Sequence, residues 1–498
     1  MAFVFIGCGG SGSGTQETSK TTNSDNNTTT TTTTDTTTAT HTVKIDGFVY
    51  ERKSSQSYTL DINDSVAKIP SSSITFGNAS STCNDDGSFE VKSNSVDYTP
   101  LHVEKSSYIP INYTIWEDKN QTIPIGLYKT VDVVKKSGFV KGMVFLDLGN
   151  TYPFTFWEKI IDEPKQRLNA QVVSYVYNGF NYGCDKNNHS VSIASAHPDY
   201  PQWRMPTKEE LEPLVAKVHA AGMKFNLWLD LVSVKECGNG VMFSWDQGDT
   251  AFWDSWFDQY ENFMKKVALI AKELNIEYLT LGHNFSYASS QSAAKWQQVI
   301  NAIKALHPSV QLTYFGGVNF AETPVYFESD SYNEGNNPNE FASLFDAIGF
   351  TFTAIANTKN PSRDTIKTNI RAIETKASAF SVPVWIAPAT PSTTVGASDA
   401  TFIEPELLTS TVGLNYTTDF YQQADVYEAL FEVVNETNGG VGHIMGVFPW
   451  GYHLRDNYKD TGAESNSTPN TNNLIVEKTA NIRGKPAESV VQWWYGKL

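Results

Sequence analysis

The sequence predicts an α/β protein: a (β/α)8 TIM barrel with a small N-terminal antiparallel β-sandwich. From about residue 122, apolar runs typical of buried strands alternate with stretches of helical periodicity, and eight positions of each kind can be counted. Residues 43–121 instead contain short alternating runs separated by turns, without helical periodicity. The chain has 498 residues, which leaves room for a barrel of ordinary size after the small module.

The N-terminal residues predict an anchor and a tether rather than a folded domain. Cys8 follows Phe5-Ile6-Gly7, which resembles a bacterial lipobox, so residues 1–8 are expected to be a truncated lipoprotein signal remnant acylated at Cys8. Residues 9–42 are rich in threonine and contain no apolar side chain larger than alanine, which predicts a disordered linker. We therefore expect a protein of the bacterial cell envelope, lipid-anchored or secreted.

The predicted sandwich covers residues 43–121. Asn84-Asp85-Asp86-Gly87 is a turn sequence, because glycine supplies the positive φ that a tight connection needs. The module resembles a carboxypeptidase-regulatory-like β-sandwich in segments 47–49 (GFV), 74–76 (ITF), 86–89 (DGSF) and 105–108 (KSSY). That resemblance implies a spacer or binding module rather than a catalytic one.

The barrel is predicted over residues 122–498. Its predicted strands are 141–148, 170–177, 224–231, 278–284, 311–315, 347–353, 383–387 and 443–450. Three helices are well marked: one begins at the capping box of Thr207 and Glu210, one near Asp249, and one ends at His307. The aromatic residues of the second helix recur at helical spacing, which predicts core positions. A doubly wound sheet is the alternative, and no glycine-rich phosphate loop supports its nucleotide-binding forms.

Composition and charge limit the classes of partner and cofactor that we expect. The net charge of −17 argues against nucleic acid as a partner, and no apolar run is long enough to span a bilayer, so only a lipid anchor would hold the chain at a membrane. The four cysteines lack zinc-binding spacing, so we expect no metal and no cofactor. Low charge, 18%, with 13% aromatic residues suits a polysaccharide or oligosaccharide partner, although aromatic residues also fill large cores.

In such barrels the chemistry lies where strands end. Polar and aromatic residues stand at these points: Asp147, Tyr152, Tyr177, Asn178, Tyr182, Asp230, His283, Asn284, Glu322, Glu328, Thr351, Thr353, Trp450, His453, Arg455 and Asp456. Rings stack on sugar faces while amides and acids bind hydroxyls, so the pattern predicts a saccharide cleft. The predicted substrate-binding residues are Trp228, Asn284, Trp450, His453 and Tyr182.

The barrel resembles the clan A glycoside hydrolases, specifically glycoside hydrolase family 113 of the endo-β-mannanase type. The resemblance rests on 141–143 (KGM), 281–282 (LG), 345–349 (FDAIG), 483–487 (RGKPA) and 493–495 (WWY), in this order. It implies action on a β-linked polysaccharide, mannan-like glycans included. It also implies a glutamate acid/base ending the fourth strand and a glutamate nucleophile ending the seventh.

Both catalytic positions depart from that pattern. Asn284 falls on the acid/base position, and Ala387 or Pro388 falls on the nucleophile position, so the double-displacement mechanism is not expected. One alternative is an enzyme that recruits other carboxylates, with Asp230 leading and His283 as a substitute general acid; the remaining candidates are Asp147, Glu322 and Glu328. The other alternative is a non-catalytic glycan-binding barrel.

Cys184 and Cys237 both fall in loops on the predicted rim of the cleft. In an oxidising compartment they would form a disulfide that fixes two cleft loops; otherwise they are free thiols.

Overall fold

The computed structural model describes residues 42–58, 66–94, 99–115, 119–146, 154–199, 201, 204–234, 237, 245–246, 248–283, 285–289, 291–319, 326–327, 338–352, 360–391, 393, 417–436, 442–452 and 480–498. Residues 1–8, and all of 9–42 except Thr42, therefore lie outside it. None of the helices in these ranges combines the length and the apolar character needed to cross a bilayer.

The N-terminal module consists of two small sheets. In one, β1 (Val43–Glu51) pairs with β4 (Ser88–Ser93), β7 (Gln121–Thr122) and β8 (Ile125–Leu127). The other has the order β3 (Ala79–Thr82), β2 (Ser73–Phe76), β5 (Pro100–Glu104) and β6 (Ile111–Thr114). Alternate residues such as Ile74, Phe76, Leu101 and Val103 are fully buried, because one face of each strand meets the module's core.

The first sheet differs from the antiparallel prediction. β1 pairs antiparallel with β4 but parallel with β7 and β8, which arrive at its other edge from farther along the chain. The predicted turn is present, with Gly87 at φ 77°, yet it joins β3 of one sheet to β4 of the other. β3 was not predicted, because its sequence, ASST, carries no large apolar residue.

Eight parallel strands form the barrel, as the sequence predicted. They are β9 (Val140–Leu146), β10 (Val172–Asp185), β12 (Lys224–Ser233), β13 (Tyr278–His283), β14 (Gln311–Asn319), β16 (Ala347–Phe352), β17 (Val384–Ala389) and β18 (Ile444–Pro449). β9 pairs with β10 on one side and with β18 on the other, which closes the barrel. Two antiparallel strands are added, β11 (Ser190–Ala194) on β10 and β15 (Tyr326–Phe327) on β14.

The described helices are α1 (Phe154–Ile160), α2 (Glu163–Leu168), α3 (Lys208–Ala220), α4 (Thr250–Glu273), α5 (Ser286–Ser289), α6 (Ala293–Leu306), α7 (Pro338–Ala342), α8 (Arg363–Ala377), α9 (Phe420–Glu436) and α10 (Pro486–Lys497). The three helices marked in the sequence are α3, α4 and α6. Thr207 and Glu210 form the predicted capping box of α3, and Asp249 caps α4.

Apolar side chains pack in two layers around the barrel wall. Aromatic residues of α4, including Trp253, Trp256 and Tyr260, are buried between the helices and the strands, as their spacing predicted. A separate interior cluster fills the barrel itself. It contains Val144, Val172, Val176, Trp228, Tyr278, Phe315, Ala347, Trp385, Ala387, Phe448, Trp450 and Ala480.

The N-terminal module packs directly on the barrel helices. Arg52, which is 4% exposed, reaches α9 and forms a bidentate ion pair with Asp425. The hydroxyl of Tyr128 donates a 2.9 Å hydrogen bond to the same carboxylate, and the amide of Gly126 donates to the hydroxyl of Tyr421. The two parts of the chain are therefore joined by a buried polar contact rather than by a loose linker.

Candidate active site

A bulge on the fourth barrel strand determines what faces the barrel interior. On β13, Tyr278 lies in the interior cluster and Thr280 bonds interior side chains, so Gly282 would be the next residue inward. The pairing between β13 and β14 shifts between Thr280 and His283. Because a bulge changes which residues share a face, His283 turns inward and meets Asp230 of β12.

Three side chains form a hydrogen-bonded chain across the carboxyl ends of the strands. Nδ1 of His283 lies 3.1 Å from Oδ1 of Asp230, and Nε2 of His283 lies 2.9 Å from Oγ1 of Thr351. The three residues come from β12, β13 and β16, so this hydrogen-bonded series passes over strand β14, which lies between β13 and β16. Asp230 is 8% exposed, which makes the imidazole important for satisfying its carboxylate.

The two tryptophans predicted to stack on sugar lie inside the barrel. Trp228 is 0% exposed, and its ring packs edge-on against His283, Phe315 and Trp450. Its Nε1 donates a 3.2 Å hydrogen bond to Asp230. Trp450 is 3% exposed. Neither ring therefore has an exposed face on which a sugar could stack. Trp228 lies five residues before the end of β12, which places it below the mouth.

Trp450 carries an unsatisfied polar group. Its Nε1 is buried and has no hydrogen-bond partner among the described residues. A buried donor without an acceptor costs about 1–3 kcal/mol, and a ligand oxygen that reached this N–H would remove that cost.

The fourth and seventh strands end without a carboxylate in the part of the chain that the structure describes. β13 ends at His283, and β17 ends in Ala387, Pro388 and Ala389, with a cis peptide bond between the first two. Ala387 belongs to the interior cluster and Ala389 is fully buried. The residues in the family's nucleophile region are therefore apolar.

A hairpin extends one side of the barrel mouth. β10 continues past its predicted end and pairs antiparallel with β11, which the sequence reading missed because short polar strands resemble a loop. Tyr182 lies in this hairpin, paired with Ser192, and is partly exposed. Cys184, at the end of the hairpin, forms a disulfide with Cys237, with a Cα–Cα distance of 5.3 Å.

Several predicted site residues lie outside the described residues. They are Asp147, Glu322, Glu328, Asn284, His453 and Cys8. The structure thus brings together Asp230, His283, Trp228 and Trp450, while Tyr182 lies farther out in the hairpin. Within the described ranges, His, Cys, Asp and Glu side chains form no group of three or more that could hold a metal ion.

The sequence places Thr351 at a strand end but indicates no functional role for it. The available signal was the run of alternate small residues Ala347, Gly349 and Thr351, which share one strand face. Small residues on an inward face leave room for a side chain from a neighbouring strand, and Phe315 of β14 occupies that room beside Gly349.

The family model for Glycoside Hydrolase Family 113 matches residues 155–468, which is more than half of the chain. No curated protein matches the sequence.

Solved structures of this family and of one other glycoside hydrolase family are similar at low identity. One family 113 β-1,4-mannanase, solved as a complex, is 17% identical, with 72% of this chain and 99% of that chain covered, at a TM-score of 0.49. A β-mannanase of the family from Alicyclobacillus acidocaldarius is 16% identical, with coverages of 72% and 97% and a TM-score of 0.48. A family 5 protein from Streptomyces cattleya, in complex with GlcNAc, is 11% identical, with coverages of 72% and 79% and a TM-score of 0.42.

Proposed function

The chain belongs to glycoside hydrolase family 113, and from that membership we propose that its barrel recognises a β-linked polysaccharide, with mannan-like glycans the first class to test. Binding would occur at the end of the barrel where His283, Thr351 and Trp450 lie. In this proposal the protein binds glycan without the double-displacement chemistry of the family. Hydrolysis through recruited carboxylates is the alternative.

One observation carries the proposal: the strand ends where the family's acid pair is expected are occupied by other groups. Asn284 stands at the acid/base position in the sequence, and the described end of β17 offers only Ala387, Pro388 and Ala389. Retaining hydrolysis needs two carboxyl groups about 5–5.5 Å apart, and the seventh strand supplies none. Asp230 is the one predicted carboxylate that the structure describes, and its Oδ1 already accepts from Trp228 and faces His283.

The unsatisfied indole of Trp450 supports a polar ligand at this place. Its N–H is a hydrogen-bond donor within an otherwise apolar interior cluster. A sugar hydroxyl is an acceptor of the required kind, and satisfying a buried donor favours binding. Tyr182, partly exposed in the hairpin, offers a ring on which a sugar unit farther along the chain would stack.

We also propose that the protein is held at a bacterial cell surface through Cys8. The lipobox-like residues before Cys8 and the threonine-rich linker after it support this arrangement. The mass of the N-terminal peptide isolated from the native host is the test, because an unlipidated Cys8 would contradict the anchor.

The glycan proposal is tested by calorimetric titration with mannan, glucomannan and cellulose-derived oligosaccharides, together with an assay for new reducing ends. We expect saturable binding of at least one glycan and no release of reducing ends. Trp450→Phe keeps most of the ring but removes the N–H, so we expect affinity to fall by about 5- to 150-fold, corresponding to about 1–3 kcal/mol.

Trp253→Phe is the matched control. This residue is equally buried but lies on α4, where its Nε1 donates to the carbonyl of Asp246, so its loss should lower stability and leave glycan affinity unchanged. Repeated turnover of a glycan by the unmodified protein would favour the hydrolase alternative instead. Absence of binding to every glycan tested would reject the proposed function.

A further inference from the structure

Asp230, His283 and Thr351 are connected in the order carboxylate, imidazole, hydroxyl, and we propose that they form an acyl-transfer triad that gives the barrel an esterase activity. The same connectivity activates hydroxyl nucleophiles on unrelated folds, so the triad is recognised by geometry and not by position in the sequence. Neither the glycoside hydrolase family nor the proposed glycan binding requires it.

The direction of the hydrogen bonds follows from the groups present. An ionised carboxylate only accepts, so the Nδ1 that faces Asp230 carries the proton of the neutral imidazole. Nε2 is then the acceptor, and the hydroxyl of Thr351 donates to it over 2.9 Å. The same hydroxyl lies 3.4 Å from the carbonyl oxygen of Ala387, which is a longer and weaker alternative for its single proton.

The orienting carboxylate is itself fixed. Oδ1 of Asp230 also accepts a 3.2 Å hydrogen bond from Nε1 of Trp228, a ring fully buried in the barrel interior. The Trp228 ring packs against the His283 ring at a centroid distance of 5.1 Å and an angle of 84°. Two contacts thus hold the acid and the base in one arrangement, which is the preorganisation a triad needs.

The barrel wall leaves room for the contact between imidazole and hydroxyl. Strand β14 lies between the strands of His283 and Thr351, and its residue paired with Thr351 is Gly317. A glycine has no side chain to stand between the two groups. Thr351 and His283 are both partly exposed, whereas Asp230 is buried at 8% exposure. A substrate can therefore reach the hydroxyl and the base, while the orienting carboxylate lies deeper.

The reaction balances without a metal or a redox partner. Oγ1 of Thr351 bonds to the acyl carbon of an ester, and its proton passes to Nε2 of His283. The ester C–O bond breaks, and that proton goes to the leaving alcohol oxygen. A water oxygen then bonds to the acyl carbon, and a proton of that water passes to Nε2 of His283. The bond between the acyl carbon and Oγ1 of Thr351 breaks, Oγ1 takes the proton from Nε2, and the carboxylic acid leaves.

The substrate class follows from the surroundings. The seventh strand presents Ala387, Pro388 and Ala389 beside Thr351 and no charge, which suits a neutral ester with a small acyl group. If the barrel binds glycan as proposed above, the natural ester is an O-acetyl group on a sugar hydroxyl. That identification rests on the proposed function, whereas the triad itself does not.

The test measures hydrolysis of p-nitrophenyl acetate and release of acetate from acetylated mannan by the full chain. Thr351→Val keeps the side-chain shape and removes the nucleophile, so we expect the rate to fall at least about 100-fold, while Thr351→Ser retains activity. Asp230→Asn should lower kcat, alter the pH profile and leave KM nearly unchanged, because Asp230 acts only through His283.

Thr313→Val is the matched control. Thr313 is a fully buried hydroxyl in the same barrel interior, bonded to Thr280 and outside the triad, so its replacement should leave ester hydrolysis intact. If Thr351→Val fails to fold, labelling of the unmodified protein with a fluorophosphonate and peptide mapping decides whether Thr351 is the nucleophile.

Three results would overturn the triad: no ester hydrolysis by the unmodified protein, equal rates for the unmodified protein and Thr351→Val, or fluorophosphonate labelling at a residue other than Thr351. Hydrolysis of p-nitrophenyl acetate without binding to any glycan would reject the proposed function and its acetylated substrate, and would leave the triad supported.

Discussion

Burial decides which aromatic rings can stack on a sugar. Trp228 and Tyr182 are both aromatic residues near strand ends, yet the first is fully buried in the barrel interior and the second is partly exposed in the hairpin. Their sequence context is similar, but a strand residue faces the interior or the helices according to its place in the strand. Trp228 therefore positions Asp230 and is unavailable for stacking.

The buried carboxylate of Glu428 makes stability depend on pH. Burial raises its pKa from 4.5 to about 8, against the opposing effect of Arg363. Between these two pH values the folded protein binds a proton that the unfolded chain has released, so the free energy of unfolding falls as pH rises through this window. Below this pH window the neutral carboxyl of Glu428 contributes fully to the free energy of unfolding. Above the window that contribution is lost.

Glu428→Gln should remove this dependence. The amide oxygen still accepts the 2.7 Å hydrogen bond from Nε1 of Trp494 but needs no ionisation, so we expect a gain of at least about 1 kcal/mol above the window. Urea unfolding at pH values on both sides of the window measures this gain in the free energy of unfolding. Glu436→Gln, at the exposed end of the same helix, is the control. A Glu428→Gln protein no more stable than the unmodified chain at the alkaline end would contradict the argument.

At the scale of elements, strand β10 belongs both to the barrel and to the β10–β11 hairpin. Its first part pairs with β9 and β12 in the barrel, and its last part pairs with β11 beyond it. Positive φ at Gly183 accompanies the register shift in this hairpin. The disulfide then links the hairpin to the segment after β12, so one side of the barrel mouth is held together covalently.

Removing this disulfide should destabilise the protein by about 2–4 kcal/mol, because Cys184 and Cys237 are 53 residues apart and the bond restricts the unfolded chain. We expect Cys184→Ser to unfold at lower urea concentration and to lose sensitivity to reductant. Cys83→Ala is the control, since the free Cys83 is buried in the N-terminal module and the reductant effect should persist without it. If reductant left the urea midpoint of the unmodified protein unchanged, the stabilising role of this disulfide would be refuted.

At the scale of the whole molecule, the N-terminal module and the barrel behave as one packed unit. Arg52 lies over the rings of Tyr58 and Tyr421, at 4.2 and 4.8 Å from their centroids, while it pairs with Asp425. Backbone amides of the module also donate to the hydroxyl of Ser489 in α10 and to the carbonyl of Gly484 just before that helix. The module therefore packs against the barrel helices α9 and α10.

Arg52→Ala should cost about 3–5 kcal/mol, because it leaves the carboxylate of Asp425 buried without its cation. The double variant with Asp425→Leu should cost less than the sum of the single changes, and a double-mutant cycle measures that coupling. The exposed pair of Arg371 and Glu436 is the control, with an expected cost of about 0–1 kcal/mol for Arg371→Ala. Additive effects at the buried pair would show that the two side chains do not interact.

Much of this fold was predictable because its signals are local. The alternation of strands and helices, the capping box at Thr207 and the aromatic spacing of α4 all repeat within a few residues, and the structure has each of them. Strand β3 and the hairpin strand β11 were missed, because both are short and polar. The parallel edge of β1 was missed because strand direction depends on residues that follow much later in the chain.

The sequence by itself determined the barrel and the absence of the expected glutamates, since both can be read from residue types in order. Only the tertiary structure decided which polar groups meet. Asp230 lies 53 residues before His283, and Thr351 lies 68 residues after it. Their contact depends on strand register, on the bulge that turns His283 inward and on a glycine in the strand between them. These are properties of paired strands, and no local pattern in one strand contains them.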